Sequence, residues 1–468
     1  MRLILFVVLY TFAILPIAYA TPRSVLPTSI QKALKNSRVA TNDFSLSVKP
    51  LNGKGINLRF NERIPRTPAS VEKIITSALA LEILSPAKVW TTKFVTKEHP
   101  LNDILENDLY LVGQGDPSLT IERFWLLVNK LRSRGIDELS GNLVLDRSLF
   151  NTPYHDPFAF DGKGYRIYNL GPDALLLNYR SHTIYFEPNE EKGVAYLYAE
   201  PQLQHIEIPK SVPLAKGRCQ NWIEQLDPDY SVHNRPIFRG TYPNQCGKKY
   251  FIYTAFNPND YIENIFRSLW EQSGGKWNGT VKEGVAPQES ETLALHDSMP
   301  LSQLLYGMNK YSNNLIARNV FLSLGIDKNN PIGTLELSRK KVSEWRQKLS
   351  IPTKELYVDN GSGLSRDSKL STRATVRILE EMWHSPYVAE YISSLPISGI
   401  DGTMKKRKVA TGYAHIKTGY IENVRSIAGY IKGASGRYYA VSAIINSAHA
   451  IDSMPVMDAV ITWIYKHG

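Results

Sequence analysis

Both ends of this chain carry the makings of one sheet, and the long stretch between them has a different texture. Near the start, FSLSVKP (44–50) alternates polar and apolar residues, Leu51-Asn52-Gly53-Lys54-Gly55 supplies turn chemistry, and INLRF resumes a strand. That is a hairpin signal. At the far end GYAHIKTGYI, NVRSIAGYIKG and RYYAVSAIIN are three strand candidates with Gly-containing turns, followed by an amphipathic helix from Ser453 to Tyr465. Helical texture also fills Pro300–Leu324 and Ser371–His384, whereas Trp90 to Asp297 breaks into short strand-like pieces such as NDLYLVG and HTIYFEP. A chain of 468 residues is long enough for two or three domains. The order predicts an α/β (α+β) architecture, an antiparallel sheet flanked by helices. This domain would span 21–90 and 298–468, interrupted by an inserted β-rich region of one or two domains at 91–297.

The first residues, MRLILFVVLYTFAILPIAYA, place Arg2 before an apolar core from Leu3 to Leu15 and a small-residue exit at Ala18-Tyr19-Ala20. This reads as a secretory signal cleaved after Ala20; an uncleaved anchor is the alternative, but about 13 apolar residues fall short of the roughly 20 that a spanning helix needs. Export fits the cysteine usage. Cys219 and Cys246 are the only two, and outside the cytoplasm a lone pair is most simply a disulfide, with two buried thiols as the alternative. Neither has a His or Cys at ligand spacing, so no metal is expected. The formal net charge of +11 is scattered apart from Lys405-Lys406-Arg407-Lys408. Without basic and aromatic interleaving it predicts no nucleic-acid partner, and at most loose association with an anionic envelope polymer or membrane surface.

One stretch raises a question of chemistry. RTPASVEKIITSALALEIL (66–84) is an apolar helix-like run with Ser70 and Lys73 in its first turn, where Pro68 is well tolerated. Residues three apart share a helix face, so Lys73 can reach the Ser70 hydroxyl, and an amine with a depressed pKa can activate a serine. Yet Ser-x-x-Lys is weak alone, since Ser29/Lys32, Ser85/Lys88, Ser273/Lys276 and Ser338/Lys341 match it too. Only Ser70 follows a hairpin and opens a long apolar helix. Glu72, between the two, is expected to be an outward-facing charge. Ser312-x-Asn314 opens another helix, where a capping role would suffice to explain it. Lys417-Thr418-Gly419 lies on a strand, with Lys417 and Gly419 facing one way and Thr418 the other.

In this order the trio Ser70-x-x-Lys73, Ser312-x-Asn314, Lys417-Thr418-Gly419 resembles that of the penicillin-recognising serine DD-peptidases. The likeness is greatest to the class C low-molecular-mass penicillin-binding proteins, the D-alanyl-D-alanine carboxypeptidase/endopeptidase branch. LYLVGQGDPSL (109–119), GNLVLDRSLF (141–150), DNGSGLSR (359–366) and ISGIDGTM (397–404) extend the resemblance, as does the large insertion. It implies a β-lactamase/transpeptidase-like fold and a periplasmic, cofactor-free peptidase acting on peptidoglycan stem peptides and acylated by β-lactams. By the same resemblance Ser70 is the nucleophile, Lys73 its base and Ser312 a proton-transfer partner. Asn314 contacts a substrate amide, Lys417, Thr418 and Gly419 belong to the carboxylate subsite, and the backbone N–H groups of Ser70 and Tyr420 form an oxyanion hole.

Three departures stand out. Asn313 replaces a common Asp, and Tyr420 follows Lys-Thr-Gly where a small Ser or Thr is usual, so its ring would reshape the cleft. Asp161, in FAFDGKGYRIYN, is the nearest candidate for the acidic residue that meets a basic group of the stem peptide, within an altered motif that equally suits a loop aspartate. A β-lactamase shares the trio but needs no middle block of about 200 residues. A non-catalytic peptidoglycan-binding protein of the same fold is the other rival.

Overall fold

Five strands from the two ends of the chain pair edge to edge. β1 (Phe44–Pro50), β2 (Leu58–Phe60), β3 (Ala414–Ile421), β4 (Val424–Lys432) and β5 (Tyr438–Asn446) form an antiparallel sheet in the order β2-β1-β5-β4-β3. The computed structural model describes residues 25–202, 207–230, 235–254 and 257–468, and the signal read at 1–20 lies outside the described residues. Register is fixed because both faces are covered: Ala440 faces one apolar cluster while its neighbour Val441 faces another. On the Val441 side lie α1 (Thr28–Asn36) and the C-terminal helix, with Ile30, Leu34, Val460, Ile461 and Ile464 in contact with the strands. On the Ala440 side lies α2 (Lys73–Leu84), walled by α3 (Leu301–Lys310), α4 (Asn314–Ser323) and α5 (Thr372–His384).

α2 is the helix on which the site depends. Every residue from Lys73 to Leu81 is buried, which a short helix tolerates only at the centre of a core. Lys73 therefore enters the interior with the apolar residues that surround it. Among the described residues no helix is long and apolar enough to cross a membrane.

Residues 91–297 build two further five-stranded sheets. The first, in the order 281–283, 143–146, 109–112, 91–96, 291–297, mixes parallel and antiparallel pairs. The second comprises 242–243, 211–215, 194–200, 182–189 and 249–253. The β-rich reading of this block omits two helices, Ile121–Arg132 and Pro258–Gln272. Each buries one apolar stripe, such as Tyr261, Ile262, Ile265, Phe266 and Trp270, and turns charged residues outward. Their average composition therefore resembles that of the loops around them. Asn257 caps the second helix, its side chain accepting from the backbone N–H groups of Asn259 and Asp260.

Cys219 and Cys246 form a disulfide across 27 positions, and Cys246 is packed into the apolar cluster that Phe94, Phe186 and Phe266 share. Closing a loop of that length stabilises a fold by about 3–4 kcal/mol through the unfolded state. The double variant Cys219→Ser/Cys246→Ser is expected to lower the melting temperature under oxidising conditions while leaving a reduced sample little changed. Equal melting of oxidised wild type and variant would contradict this.

Candidate active site

The backbone enters α2 through a tighter turn than the sequence suggests. Ala69 holds a left-handed φ of +48°, and Ala69–Glu72 form a 3₁₀ turn before the α-helix starts at Lys73. An α-helical first turn is thus replaced by one in which residues three apart eclipse. Lys73 Nζ lies 3.1 Å from Ser70 Oγ and donates to it. Nζ also donates to Asn314 Oδ1 at 2.7 Å and to the Ser362 carbonyl. Burial pushes the Lys73 amine well below its ordinary value, and Lys417 and Arg318 add to this against the opposing pull of Glu72.

Ser312 does not cap α4. Its φ is +59°, and the cap is Asn313, whose side chain accepts from the Leu315 and Ile316 N–H groups. That is why the middle residue of the second motif need not be Asp, since Asn serves equally as a cap. Freed from capping, the Ser312 hydroxyl accepts from Lys417 Nζ at 3.0 Å, and Asn314 Nδ2 donates to the Tyr168 carbonyl at 3.0 Å. Lys417 is fully buried, and burial lowers its pKa to about 7. Thr418 Oγ1 donates to Thr403 Oγ1 at 2.8 Å. Gly419 lets β3 close on the serine turn, because a Cβ there would lie 2.8 Å from the Pro68 carbonyl oxygen and 3.1 Å from Ser70 N. Tyr420 turns outward, half exposed, with the Arg425 guanidinium 4.8 Å over its ring.

Glu72 departs from expectation. It is fully buried, and Oε1 accepts from the Gly363 N–H at 3.2 Å. Burial pushes its carboxyl up to about 7. The reason is the 3₁₀ geometry: with Ser70 and Lys73 on one side of the turn, Glu72 points at the loop Asp359–Ser368. This loop clamps the start of α2 through Gly363 N–H on Glu72, the Ser362 carbonyl on Lys73 and the Gly361 carbonyl on Thr76 Oγ1. Gly363 has φ +78°, and a Cβ there would lie 2.0 Å from the Ala69 carbonyl oxygen.

The hydrogen bonds of Asp161 run to its own loop and not to the serine pair. The residue is exposed, and its carboxylate accepts from Lys163 N–H (3.0 Å), Tyr168 Oη (2.8 Å) and Asn169 Nδ2 (2.6 Å). Burial opposes its ionisation, but these hydrogen bonds prevail and hold it below the usual range. Its loop reaches Asn314 through the Tyr168 carbonyl. The site contacts absent from the sequence reading are the Ser362 and Tyr168 carbonyls and the Thr403 hydroxyl. Two of the three lie in DNGSGLSR and ISGIDGTM, whose paired glycines were the available signal.

A serine hydroxyl against a buried amine, at the start of a helix packed on an antiparallel sheet, defines the penicillin-recognising serine hydrolases. The sequence model of the D-Ala-D-Ala carboxypeptidase 3 (S13) family matches residues 26–467, and the chain belongs to that family. It is by this membership an enzyme, a serine-type D-Ala-D-Ala carboxypeptidase. A D-alanyl-D-alanine carboxypeptidase of Actinomadura sp. is 26% identical over 422 residues, 84% of this chain and 76% of that protein. D-alanyl-D-alanine carboxypeptidase DacB of Haemophilus influenzae is 26% identical over 409 residues, 85% and 84% of the two chains. Among solved structures, penicillin binding protein 4 (dacB) from Haemophilus influenzae superposes with a TM-score of 0.79 at 22% identity, covering 93% of this chain and 99% of that one.

The clamp loop gives a direct test of this geometry. A left-handed backbone alone costs a residue with a Cβ about 1–2 kcal/mol, and the collision with Ala69 adds to it. Gly363→Ala is expected to lower the urea midpoint of unfolding clearly, and an unchanged midpoint would mean that the loop does not need this close approach.

Proposed function

We propose that this enzyme trims D-Ala-D-Ala ends of peptidoglycan stem peptides, and cleaves D-Ala-linked cross-bridges, through an acyl-enzyme on Ser70. The carrying observation is the Lys73 amine, buried, kept weakly basic by its surroundings, and 3.1 Å from the Ser70 hydroxyl. Ser70 Oγ attacks the carbonyl carbon of the penultimate D-Ala as its proton passes to Lys73 Nζ. The carbonyl oxygen takes the negative charge, facing the backbone N–H groups of Ser70 and Tyr420. Collapse breaks the C–N bond, and the departing D-Ala amine receives a proton by way of Ser312. Water then attacks the ester as Lys73, which has yielded its first proton to the departing amine, takes one from it; the ester C–O bond breaks, Ser70 Oγ recovers that proton from Lys73, and the shortened peptide leaves. A β-lactam opens by the same attack and leaves a slowly hydrolysed ester.

Lys417 and Thr418 hold the terminal carboxylate in this scheme, and an arriving anion would restore the charge that burial disfavours on Lys417. Asn314 meets a substrate amide while its Oδ1 keeps Lys73 in line. Asp161, exposed and held ionised by Tyr168 and Asn169, is the acidic contact for a basic group of the stem peptide. We assign the peptidase domain to 21–90 and 298–468, the inserted region to 91–297, and the periplasm as the working compartment after cleavage behind Ala20.

Mass spectrometry after benzylpenicillin tests the chemistry. Wild-type protein is expected to gain one adduct on the peptide that contains Ser70, and Ser70→Ala to gain none and release no D-alanine from a D-Ala-D-Ala peptide. A label that persists on Ser70→Ala would sink the assignment. Digesting sacculi and resolving the products separates trimmed monomers from cleaved dimers.

A further inference from the structure

Glu72 has a chemistry that the mechanism above does not use. Its side chain is fully buried, and Oε1 takes the Gly363 N–H at 3.2 Å, while Oε2 makes no hydrogen bond of normal geometry. The Ser368 hydroxyl favours its ionised form and itself accepts from Asp359 N–H at 3.1 Å. The charged groups facing this carboxyl are Lys73 on its own element, Asp359 from the clamp loop and Arg318 from α4, with Lys417 acting on Lys73 from β3. Burying a carboxyl among so few donors is costly. A glutamine would accept from Gly363 equally well without that cost. The clamp alone therefore leaves the choice of a carboxyl unexplained, and the adjacent Lys73 is the group whose basicity it raises.

We propose that Glu72 is a positioning residue of the Ser70–Lys73 pair: it pins the loop whose Ser362 carbonyl receives Lys73, and supplies the negative charge against which the Lys73 ammonium forms. The inference rests on the reading of Lys73 as base. When the Ser70 O–H bond breaks, its electron pair forms the bond to the substrate carbonyl carbon and its proton passes to Nζ. The new cation then sits near Lys417 and Arg318, both of which disfavour it, and among the charged groups described Glu72 has the opposite effect. Lys73 and Glu72 then titrate as a coupled pair, and the acid limb of the rate profile belongs to both.

The variant Glu72→Gln keeps the shape and the Gly363 acceptor, removes the charge and puts an NH2 donor in place of one oxygen. The measurement is the second-order rate of acylation by benzylpenicillin between about pH 5 and pH 9, with circular dichroism as the folding control. Removing the anion lowers the proton affinity of Lys73, so the free amine persists to lower pH. The acid limb is expected to move down by about one pH unit, as for loss of a near opposite charge. Plateau acylation is expected to fall several-fold, because a weaker base removes the serine proton more slowly. Ser368→Ala, which deletes the hydroxyl that favours ionised Glu72, is expected to move the limb in the same direction by less, and serves should Glu72→Gln not fold. An acid limb that stays in place in both variants, whatever the plateau rate, would overturn the proposal and leave Glu72 as a loop anchor. Wild-type protein that takes no label at any pH would instead overturn the reading of the site, and this role with it.

Discussion

The amine of Lys73 in the dry centre of the molecule is the constraint around which the rest is arranged. An ammonium-sized group cannot be taken out of water without partners, and here the partners come from three separate parts of the chain. Ser70 offers its hydroxyl from the preceding turn, Asn314 its amide oxygen from α4, and Ser362 its carbonyl from the clamp loop. Two of these acceptors are themselves held: Asn314 by the Tyr168 carbonyl, and Ser362 by Asn360 Oδ1, which accepts from both its N–H and its hydroxyl. One buried nitrogen thus couples the serine turn, the second motif and the segment that carries Tyr168.

Such closeness requires backbone where a side chain would normally be. Gly363 brings the clamp loop onto the Ala69 carbonyl, and Gly419 brings β3 onto the serine turn. The sheet can then carry Lys417 up to Ser312 while its outer face remains packed under α1 and the C-terminal helix. Strain gathers at the same points: Ala69 and Ser312 both adopt positive φ. Backbone held in sparsely populated conformations persists only where the surroundings over-determine it, and both residues are flanked by this hydrogen-bond network.

The sheet was legible because its strands are apolar at both ends of the chain and interrupted by turn chemistry, so their pairing across the insertion was the arrangement that buried them all. The order of the trio suggested that its members meet, and the structure brings Lys73 to Ser70 and Asn314, and Lys417 to Ser312. Glu72 was not legible. A charge next to a helix start is most often solvated, and only the 3₁₀ turn sends it inward, a local geometry set by Ala69 φ and by a loop almost 300 positions later. That Asn313 and not Ser312 caps α4 was hidden for a similar reason, since Ser and Asn are both good caps and the choice depends on the left-handed φ of Ser312. The helices Ile121–Arg132 and Pro258–Gln272 were hidden because a single apolar stripe scarcely alters local composition.

The two buried lysines of the site show how environment divides roles between like groups. Both are fully buried and both lose basicity chiefly through burial. Lys73 has the electrostatic pull of Glu72 and three oxygen acceptors, so a proton arriving there finds a prepared place. Lys417 has the Ser312 hydroxyl at 3.0 Å and the Thr418 carbonyl at 2.7 Å, and no ion-pair partner among the described residues. Its missing counter-ion is therefore what an anionic substrate end would bring. In the proposed mechanism the substrate charges Lys417 as it binds, and that charge in turn holds Lys73 towards its neutral form until Ser70 delivers the proton. Binding the terminal carboxylate and readying the base then become one electrostatic event, with Glu72 setting how far the balance tips.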